Sequence, residues 1–257
     1  MQSTEPSIEA ILQLCLEASR VMVYCGAETS RVEEIIYRLA TASHVEQVES
    51  FVTPTGIFIM VKKFGKTLTQ LARVTSDASI DLNKVTKVND ISRKYCRGEY
   101  SADEAIEQIR CIVKERPPYP GWLRQICAGV SGGAFALLFH GSWKDILPGF
   151  LSALLANMLA EIPDYRIPRF LNVFVGALGG SLLGLAFLRL GFGEHTETII
   201  IGAIIPLLPG LSITNAIRDL MAGDLLAGVA RCGEAVLTTL SIAVAVGIGL
   251  SMFGVPT

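Results

Sequence analysis

The sequence predicts a membrane α-helical bundle of about five transmembrane helices preceded by a soluble α+β domain. Hydrophobic residues make up 51% of the 257 positions and the mean hydropathy is +0.47, both high for a water-soluble protein. Of the charged Asp, Glu, Lys and Arg side chains, 31 fall in residues 1–120 and only 15 in residues 121–257. We therefore expect a soluble domain over residues 1–118 and a transmembrane domain over residues 119–257.

Helices are predicted at both ends of the soluble domain. Apolar residues recur at helical spacing from Ile8 to Cys25, which indicates a helix with one buried face. Ser30 and Glu33 have the spacing of a capping box, so a second helix is predicted from there to about Ser43. Two further helices are predicted over 80–97 and 102–114, the latter with a capping box at Ser101 and Glu104.

A β-hairpin is predicted between these helix pairs. Runs of β-branched and aromatic residues flank a turn at Lys62–Lys66, which is typical of two paired strands. The segment Thr53-Pro54-Thr55-Gly56 interrupts the first run, and a bulge or strand-entry kink is favoured there over a ligand-binding turn.

Several classes of function lack support in the sequence. Residues 1–120 hold 15 basic and 16 acidic side chains, so nucleic acid is not an expected partner. The six cysteines include no C-x-x-C pair, and the soluble domain has one histidine, His44, without a nucleophile or phosphate-loop motif. We therefore predict no catalytic residue, metal or cofactor. The charges at Glu28, Arg31, Glu33 and Glu34 are interpreted as a solvated helix face rather than a catalytic carboxylate pair.

Five apolar windows follow the proline-rich segment 117–120. A helix needs roughly 20 apolar residues to cross the hydrocarbon, and the third window also carries glycines at small-x-x-x-small spacing that permit close helix packing. The predicted spans are about 121–139, 146–162, 170–188 with Gly176, Gly179, Gly180 and Gly184, 197–211, and 235–253.

The charges of the loops predict the orientation. Lys114, Arg116 and Arg124 precede or open the first span, and Arg166 and Arg169 lie between the second and third, whereas the intervening loop holds only Lys144. Because basic residues concentrate on the cytoplasmic side, we expect a multi-pass protein of the cytoplasmic (inner) membrane with its N-terminus in the cytoplasm.

The fourth span is predicted to be broken. Pro209 removes a backbone donor and Gly210 permits unusual dihedral angles, so a new, more polar helix is predicted over 212–231. Asn215, Arg218 and Asp219 share one face of it with Ala222, and Arg218 and Asp219 could neutralise each other. The favoured interpretation is a helix that lines a cavity within the membrane; the alternative is an amphipathic helix on the membrane surface.

These features supply the candidate site. A helix start that faces a cavity offers free N–H groups to a carboxylate, and ionisable groups at membrane depth usually mark a substrate or ion path. The main candidates for substrate binding or coupling are Pro209, Gly210, Ser212, Thr214, Asn215, Arg218, Asp219 and Asp224. Weaker candidates are Asn157, Glu161, Arg231 and Glu234, of which the first two are favoured as structural.

The sequence resembles the threonine/serine exporter family, specifically its longer, N-terminal subunit. The resemblance rests on Gly26-Ala27-Glu28-Thr29-Ser30-Arg31-Val32-Glu33-Glu34, on Pro209-Gly210 followed by Thr214-Asn215-Ala216-Ile217-Arg218-Asp219-Leu220, and on Gly223-Asp224 before Gly228 to Arg231. It covers nearly the whole chain. It implies export of threonine, serine or a dicarboxylate such as succinate, coupled to protons.

The resemblance also implies partners. Fused members of the family continue into a second set of membrane helices, so a separate small membrane subunit is expected, and a homo-oligomer is possible. The lipid bilayer and a small-molecule substrate complete the expected partners. In the leading hypothesis, 212–215 and Arg218 bind the substrate, while Asp219 or Asp224 carries the coupling proton. The alternative functions are a membrane-anchored sensor or scaffold whose soluble domain binds a metabolite or partner, and a membrane-anchored enzyme.

Overall fold

The computed structural model describes residues 6–74, 80–162 and 168–254. Two compact units make up the structure. The first comprises Met1–Pro117 together with Ile213–Cys232, and the second comprises Pro118–Ser212 together with Gly233–Thr257. The N-terminal unit therefore includes a segment that lies almost 100 residues further along the chain than its other elements.

Four helices of the N-terminal unit lie close to the predicted ranges. The capping box at Ser101 is confirmed, since Glu104 N–H donates to its hydroxyl and the Glu104 carboxylate accepts from Ser101 N–H at 2.7 Å. The capping box predicted at Ser30 is wrong, because the second helix begins one residue earlier with Glu28 as its N-cap. The helices are α1 Ile8–Tyr24, α2 Thr29–Ala42, α3 Leu82–Cys96 and α4 Ala102–Lys114.

The strands form one antiparallel sheet in the order β1-β2-β3. The predicted turn at Lys62–Lys66 is confirmed as the connection between β2 and β3. The predicted bulge is wrong: Thr53 pairs with Gly56, so Pro54 and Thr55 form a tight turn between two separate strands. The strands are β1 Gln47–Thr53, β2 Gly56–Lys63 and β3 Lys66–Arg73.

Aliphatic side chains form the core of this unit. Helix α1 packs against α2, α3, α4 and β2, and its Ile11 and Leu14 have no exposed surface. Every second side chain of β2 points into the same core, and these three side chains also have no exposed surface: Ile57, Ile59 and Val61. Burial of this much apolar area is the main stabilising term of the N-terminal unit.

The rest of the chain is helical, and each predicted apolar window contains a helix. Among the described residues, two helices, α7 and α10, are long and apolar enough to cross a membrane, or three spans if the bent pair Thr196–Leu207 and Gly210–Ala222 counts as one. The helices are α5 Gly121–Leu138, α6 Ile146–Ala160, α7 Arg169–Arg189, α8 Thr196–Ile204, α9 Gly210–Ala222 and α10 Leu225–Met252, with 3-10 turns at Trp143–Asp145 and Ile205–Leu207.

The predicted polar helix over 212–231 is in fact two helices. Gly223 has φ +93°, a left-handed conformation that lets α9 end there, and α10 begins two residues later. Arg231 and Glu234 therefore belong to α10. Arg166, used in the orientation prediction, lies outside the described residues.

Small residues allow the helices of the second unit to approach closely. A Cβ built on Gly132 would lie 2.3 Å from the Ala153 Cβ and 2.8 Å from the carbonyl oxygens of Gly149 and Gly202. In α7, Gly176, Gly180 and Gly184 face Ala156, Ala160 and Ser152 of α6 in the same way, which confirms the packing role predicted for them.

Candidate functional site

The turn between α1 and α2, residues 26–29, is the centre of the candidate site. Gly26 has φ +81°; its N–H donates to the Val23 carbonyl and the Ala27 N–H donates to the Met22 carbonyl. This is the Schellman arrangement, which requires a left-handed residue after the helix end and therefore favours glycine. The turn leads into α2 at Thr29 within three residues, so the start of α2 is fixed by the end of α1.

Asp219 of α9 caps the start of α2. Its Oδ1 accepts the Thr29 backbone N–H at 3.1 Å, and its Oδ2 accepts the Thr29 hydroxyl at 3.2 Å. The N-cap residue Glu28 makes no side-chain capping bond of its own. A helix start carries unsatisfied N–H groups and a partial positive charge, and a carboxylate satisfies both. Asp219 of α9 thus supplies the side-chain cap that Glu28, the N-cap residue of α2, does not provide.

Arg231 of α10 balances the charge of Asp219. Its Nε lies 2.9 Å from Asp219 Oδ2, and its Nη2 donates to the Ala27 carbonyl at 2.8 Å. Asp219 has no exposed side-chain surface and Arg231 keeps 11%. A buried ion pair of this kind is sensitive to the loss of either partner, because the remaining charge has no water to solvate it.

Asn215 and Arg218 hold the turn from the same helix. The Asn215 amide donates to the Gly26 carbonyl at 3.0 Å, one helical turn before Asp219. Arg218 forms an ion pair with Glu28 and is 55% exposed. The expected mutual neutralisation of Arg218 and Asp219 is wrong, since neighbouring residues on a helix project in different directions and each finds its own partner. We call the connected set of residues the turn network. Its members are Gly26, Ala27, Glu28, Thr29, Asn215, Arg218, Asp219 and Arg231.

Helix α9 therefore has a buried polar face and an exposed apolar face. Asn215, Ala216 and Asp219 are buried, whereas Ile213, Ile217 and Met221 are exposed. The polar side chains contact backbone and side-chain groups of the turn at residues 26–29, a partner that neither the cavity-lining nor the surface-helix interpretation included.

Of the other main candidates, four lie just before Asn215 in the chain. Helix α9 begins at Gly210 instead of about Ser212, and the Gly210 N–H donates to the Leu208 carbonyl at 2.8 Å. Pro209 and Ser212 are half-buried, and Thr214 is exposed. The structure does not bring these four residues into the turn network.

Two neighbouring carboxyl groups carry raised pKa values. Burial raises the pKa of Asp224, and the charge of Asp219 raises it further. The pKa of Glu33 on α2 is raised by burial first and then by the charge of Asp224, although a hydrogen bond with the Val52 backbone acts in the opposite direction. Glu33 and Glu28 are half-buried, so their interpretation as part of a solvated face is wrong.

Two of the weaker candidates, Asn157 and Glu161, lie in a second cluster. The Asn157 amide donates to the Gln125 side chain at 2.9 Å, and Gln125 in turn donates to the Glu161 carboxylate at 2.8 Å. Arg124 lies 3.5 Å from Glu161. These bonds join α5 to the end of α6. Glu234, the last candidate, lies 3.8 Å from Arg169 in an exposed pair.

A buried aspartate between α5 and α6 was not predicted from the sequence. Asp145 has no exposed surface; it accepts the backbone N–H groups of Ser142, Glu194 and His195 and lies 2.8 Å from His195 Nδ1. Burial alone would raise its pKa, but these hydrogen bonds outweigh burial and hold the pKa well below its usual range. The spacing of Ser142 and Asp145 is that of a capping box, which was the available signal.

Comparison with known proteins decides the family. Residues 13–253 match the family described as "Putative threonine/serine exporter". The chain belongs to the threonine/serine exporter family. It is therefore a member of a membrane transporter family rather than of an enzyme family, and the resemblance found in the sequence is confirmed.

Individual relatives of this exporter-family chain differ in length. It is 28% identical to the "Probable succinate transporter subunit YjjP" of Klebsiella aerogenes over 99% of this chain and 98% of the relative. The protein of the same name from Escherichia coli is 27% identical over 95% of both chains. The "Probable threonine/serine exporter" of Mycobacterium tuberculosis is 26% identical over 95% of this chain but 46% of its own length. No solved structure matches.

The motifs that carry the family resemblance meet in the turn network of this exporter-family chain. The first motif supplies Gly26, Ala27, Glu28 and Thr29, and the second supplies Asn215, Arg218 and Asp219, more than 180 residues away. Thr29 and Glu28 were quoted for the resemblance but not selected as site residues. A hydrogen bond between distant motifs leaves no signal in the spacing of a single sequence.

Proposed function

We propose that this chain is the longer subunit of a two-component secondary exporter that moves a small hydrophilic metabolite, either threonine and serine or a dicarboxylate such as succinate, out of the cytoplasm. The observation that carries the proposal is the match of residues 13–253 to the exporter family. The similarity to proteins named as succinate transporter subunits extends over nearly the full length of both chains and favours a dicarboxylate.

A separate partner subunit is part of the proposal. The mycobacterial relative is more than twice as long as the matched region, whereas the relatives of matching length carry the word subunit in their names. We infer that the additional helices are provided here by a second, small membrane protein. Affinity purification of the tagged chain from its native membrane is expected to recover such a protein in a constant ratio, and recovery of the chain alone would contradict this part.

The proposed topology has five spans and a cytoplasmic N-terminal domain. Helices α5, α6, α7 and α10 are four of the spans, and α8 with the 3-10 turn that follows it is the fifth, whereas residues 213–232 belong to the N-terminal unit. The lengths of α7 and α10, 21 and 28 residues, support the assignment of those two. The basic residues before α5 and between α6 and α7 support the orientation.

The turn network is the proposed coupling element. Protonation of Asp219 would remove the negative charge that Arg231 and the start of α2 share, and would weaken the hold of α9 on the turn at residues 26–29. Arg218, which is more than half exposed and paired with Glu28, is available to attract an anionic substrate. Asp219 or Asp224 carries the coupling proton in this scheme, and the raised pKa of Asp224 supports the latter.

Export assays test the proposal. Cells that lack the native gene are loaded with labelled succinate or threonine, and efflux is followed with the chain and its partner restored. We expect restored efflux of one substrate class, with Asp219→Asn abolishing it and Arg218→Ala reducing it at equal membrane abundance. Arg97→Ala, which affects an exposed pair with Glu99, is the matched control. Efflux unchanged in both site variants would contradict the site, and no efflux of either class would contradict the function.

A further inference from the structure

A groove in the N-terminal unit has no role in the proposed function. It has a volume of about 280 Å³ and lies where α1, the end of β3, α3 and α4 come together. Its apolar lining includes Val21, Tyr24, Val74 and Val113. The volume is slightly below the lower end of ordinary ligand pockets, about 300 Å³, so only a small molecule fits.

The lining of this groove carries an excess of positive charge. Arg20, Arg73 and Lys84 border it, and the one acidic residue among the described lining residues, Glu17, is paired with Arg110 at 3.0 Å. Arg20 and Arg73 are exposed and have no ion pair with any residue in the described part of the chain. Two guanidinium groups beside an apolar surface are a combination that recognises a carboxylate with an attached apolar group.

Two further groups lie near the groove, and one of them, the Asp81 carboxylate, offsets part of this charge. Cys25 is buried in the lining, and burial, followed by the charge of Asp81, raises the pKa of its thiol to about 11, so the thiol is neutral near pH 7. The Asp81 carboxylate accepts the backbone N–H of Lys84 at 3.2 Å and caps α3. Lys84 itself donates from Nζ to the Val113 carbonyl at 3.1 Å, which closes one wall.

We propose that this groove is a binding site for a small organic monocarboxylate with a short branched apolar chain. The carboxylate lies between Arg20 and Arg73, and the apolar chain lies against Val21, Val74 and Val113. The site belongs to the N-terminal unit and does not depend on which solute the chain exports. A ligand bound there would give the exporter a means of responding to a metabolite other than its substrate.

The experiment uses the purified full chain in detergent micelles and 3-methylbutanoate as the probe. Its uncharged amide, which has the same shape, is the control ligand. We expect saturable binding of the acid by calorimetry and none of the amide. Arg20→Gln and Arg73→Gln are each expected to weaken binding about tenfold or more, since each removes a charge-assisted hydrogen bond. Arg93→Gln, an exposed arginine on α3 that does not line the groove, is expected to change nothing.

Three results would overturn the proposal. The first is the absence of saturable binding to the unmodified chain, and the second is binding that Arg20→Gln and Arg73→Gln leave unchanged. The third concerns Asp77, which lies outside the described residues. If the acid binds only after Asp77→Asn, Arg20 and Arg73 bind the carboxylate of Asp77 instead of a ligand. Because binding is measured without transport, these results are separate from those of the export assay.

Discussion

Two aspartates, one in each unit of the structure, are completely buried and are stabilised in different ways. Asp219 in the N-terminal unit has a formal cation, Arg231, at 2.9 Å and two hydrogen bonds from Thr29. Asp145 in the second unit accepts three backbone N–H groups and lies beside His195, while the neighbouring Lys144 is paired with Glu194.

The difference concerns how the charge is compensated. The charge of Asp219 is balanced largely by one arginine, so removal of either partner leaves a buried charge. The charge of Asp145 is shared among several backbone N–H dipoles, none of which carries a formal charge. We therefore expect the network in the N-terminal unit to be the more easily disrupted of the two.

The largest expected effect is that of Asp219→Ala. The substitution leaves Arg231 without a counter-ion and the start of α2 without its cap, and should destabilise the chain by about 3–5 kcal/mol. Chemical unfolding of the purified chain in micelles measures it. Arg218→Ala on the same helix breaks only a pair whose arginine is more than half exposed, and should cost less than about 1 kcal/mol. Equal effects of the two variants would refute the central role of Asp219.

A second variant, Asp145→Asn, should destabilise the chain by about 3 kcal/mol at neutral pH. The NH₂ group of the new amide would face backbone N–H groups that now donate to the carboxylate. The folded pKa of Asp145 is lowered, so its contribution is present above the ordinary aspartate pKa and is lost as the pH falls through the folded value. The difference between variant and parent should therefore shrink below about pH 4. Unfolding midpoints across a pH series measure this, and a gap independent of pH would contradict it.

The third variant tests packing without charge. Gly132→Ala places a Cβ 2.3 Å from that of Ala153 and should destabilise the chain by about 1–3 kcal/mol. Gly247→Ala in α10 is the matched control, since nothing lies within 4 Å of its built Cβ. If both substitutions had the same effect on the thermal midpoint, the close approach at Gly132 would not matter for stability.

Much of the secondary structure could be predicted from local patterns. Apolar spacing located α1, the capping box at Ser101 located the start of α4, and the proline and glycine at 209–210 located the break before α9. These signals depend only on residues near one another in sequence. Gly223 was passed over as a helix end, since glycine within a helical pattern can also be tolerated.

The candidate site was less predictable. Asn215, Arg218 and Asp219 were selected for their polarity and spacing, but their partners at residues 26–29 are 189 or 190 residues away. No periodicity connects residues at such a separation. Asp145 was overlooked for a similar reason, since two of its donors, Glu194 and His195, lie beyond the whole of α6 and α7.

The smallest expected effect, that of Glu33→Gln, has the opposite sign. The pKa of Glu33 is raised by burial and by the charge of Asp224, so the parent chain loses stability as the pH rises from the ordinary glutamate value through the folded one. Glutamine keeps an oxygen acceptor for the Val52 backbone but carries no charge. The variant should therefore be more stable than the parent at neutral pH, by less than about 1 kcal/mol after solvent screening.

The gain from Glu33→Gln should vanish below about pH 4, where the parent carboxyl is protonated as well. The same pH series used for Asp145 measures it, and Glu34→Gln, one residue along α2 and exposed, is the matched control. A gain that persisted at low pH would mean that glutamine improves packing rather than removing charge. Because Asp224 and Asp219 both raise the pKa of Glu33, the gain should also shrink when Asp224→Asn is combined with it, which would place Glu33 in the same electrostatic group as the turn network.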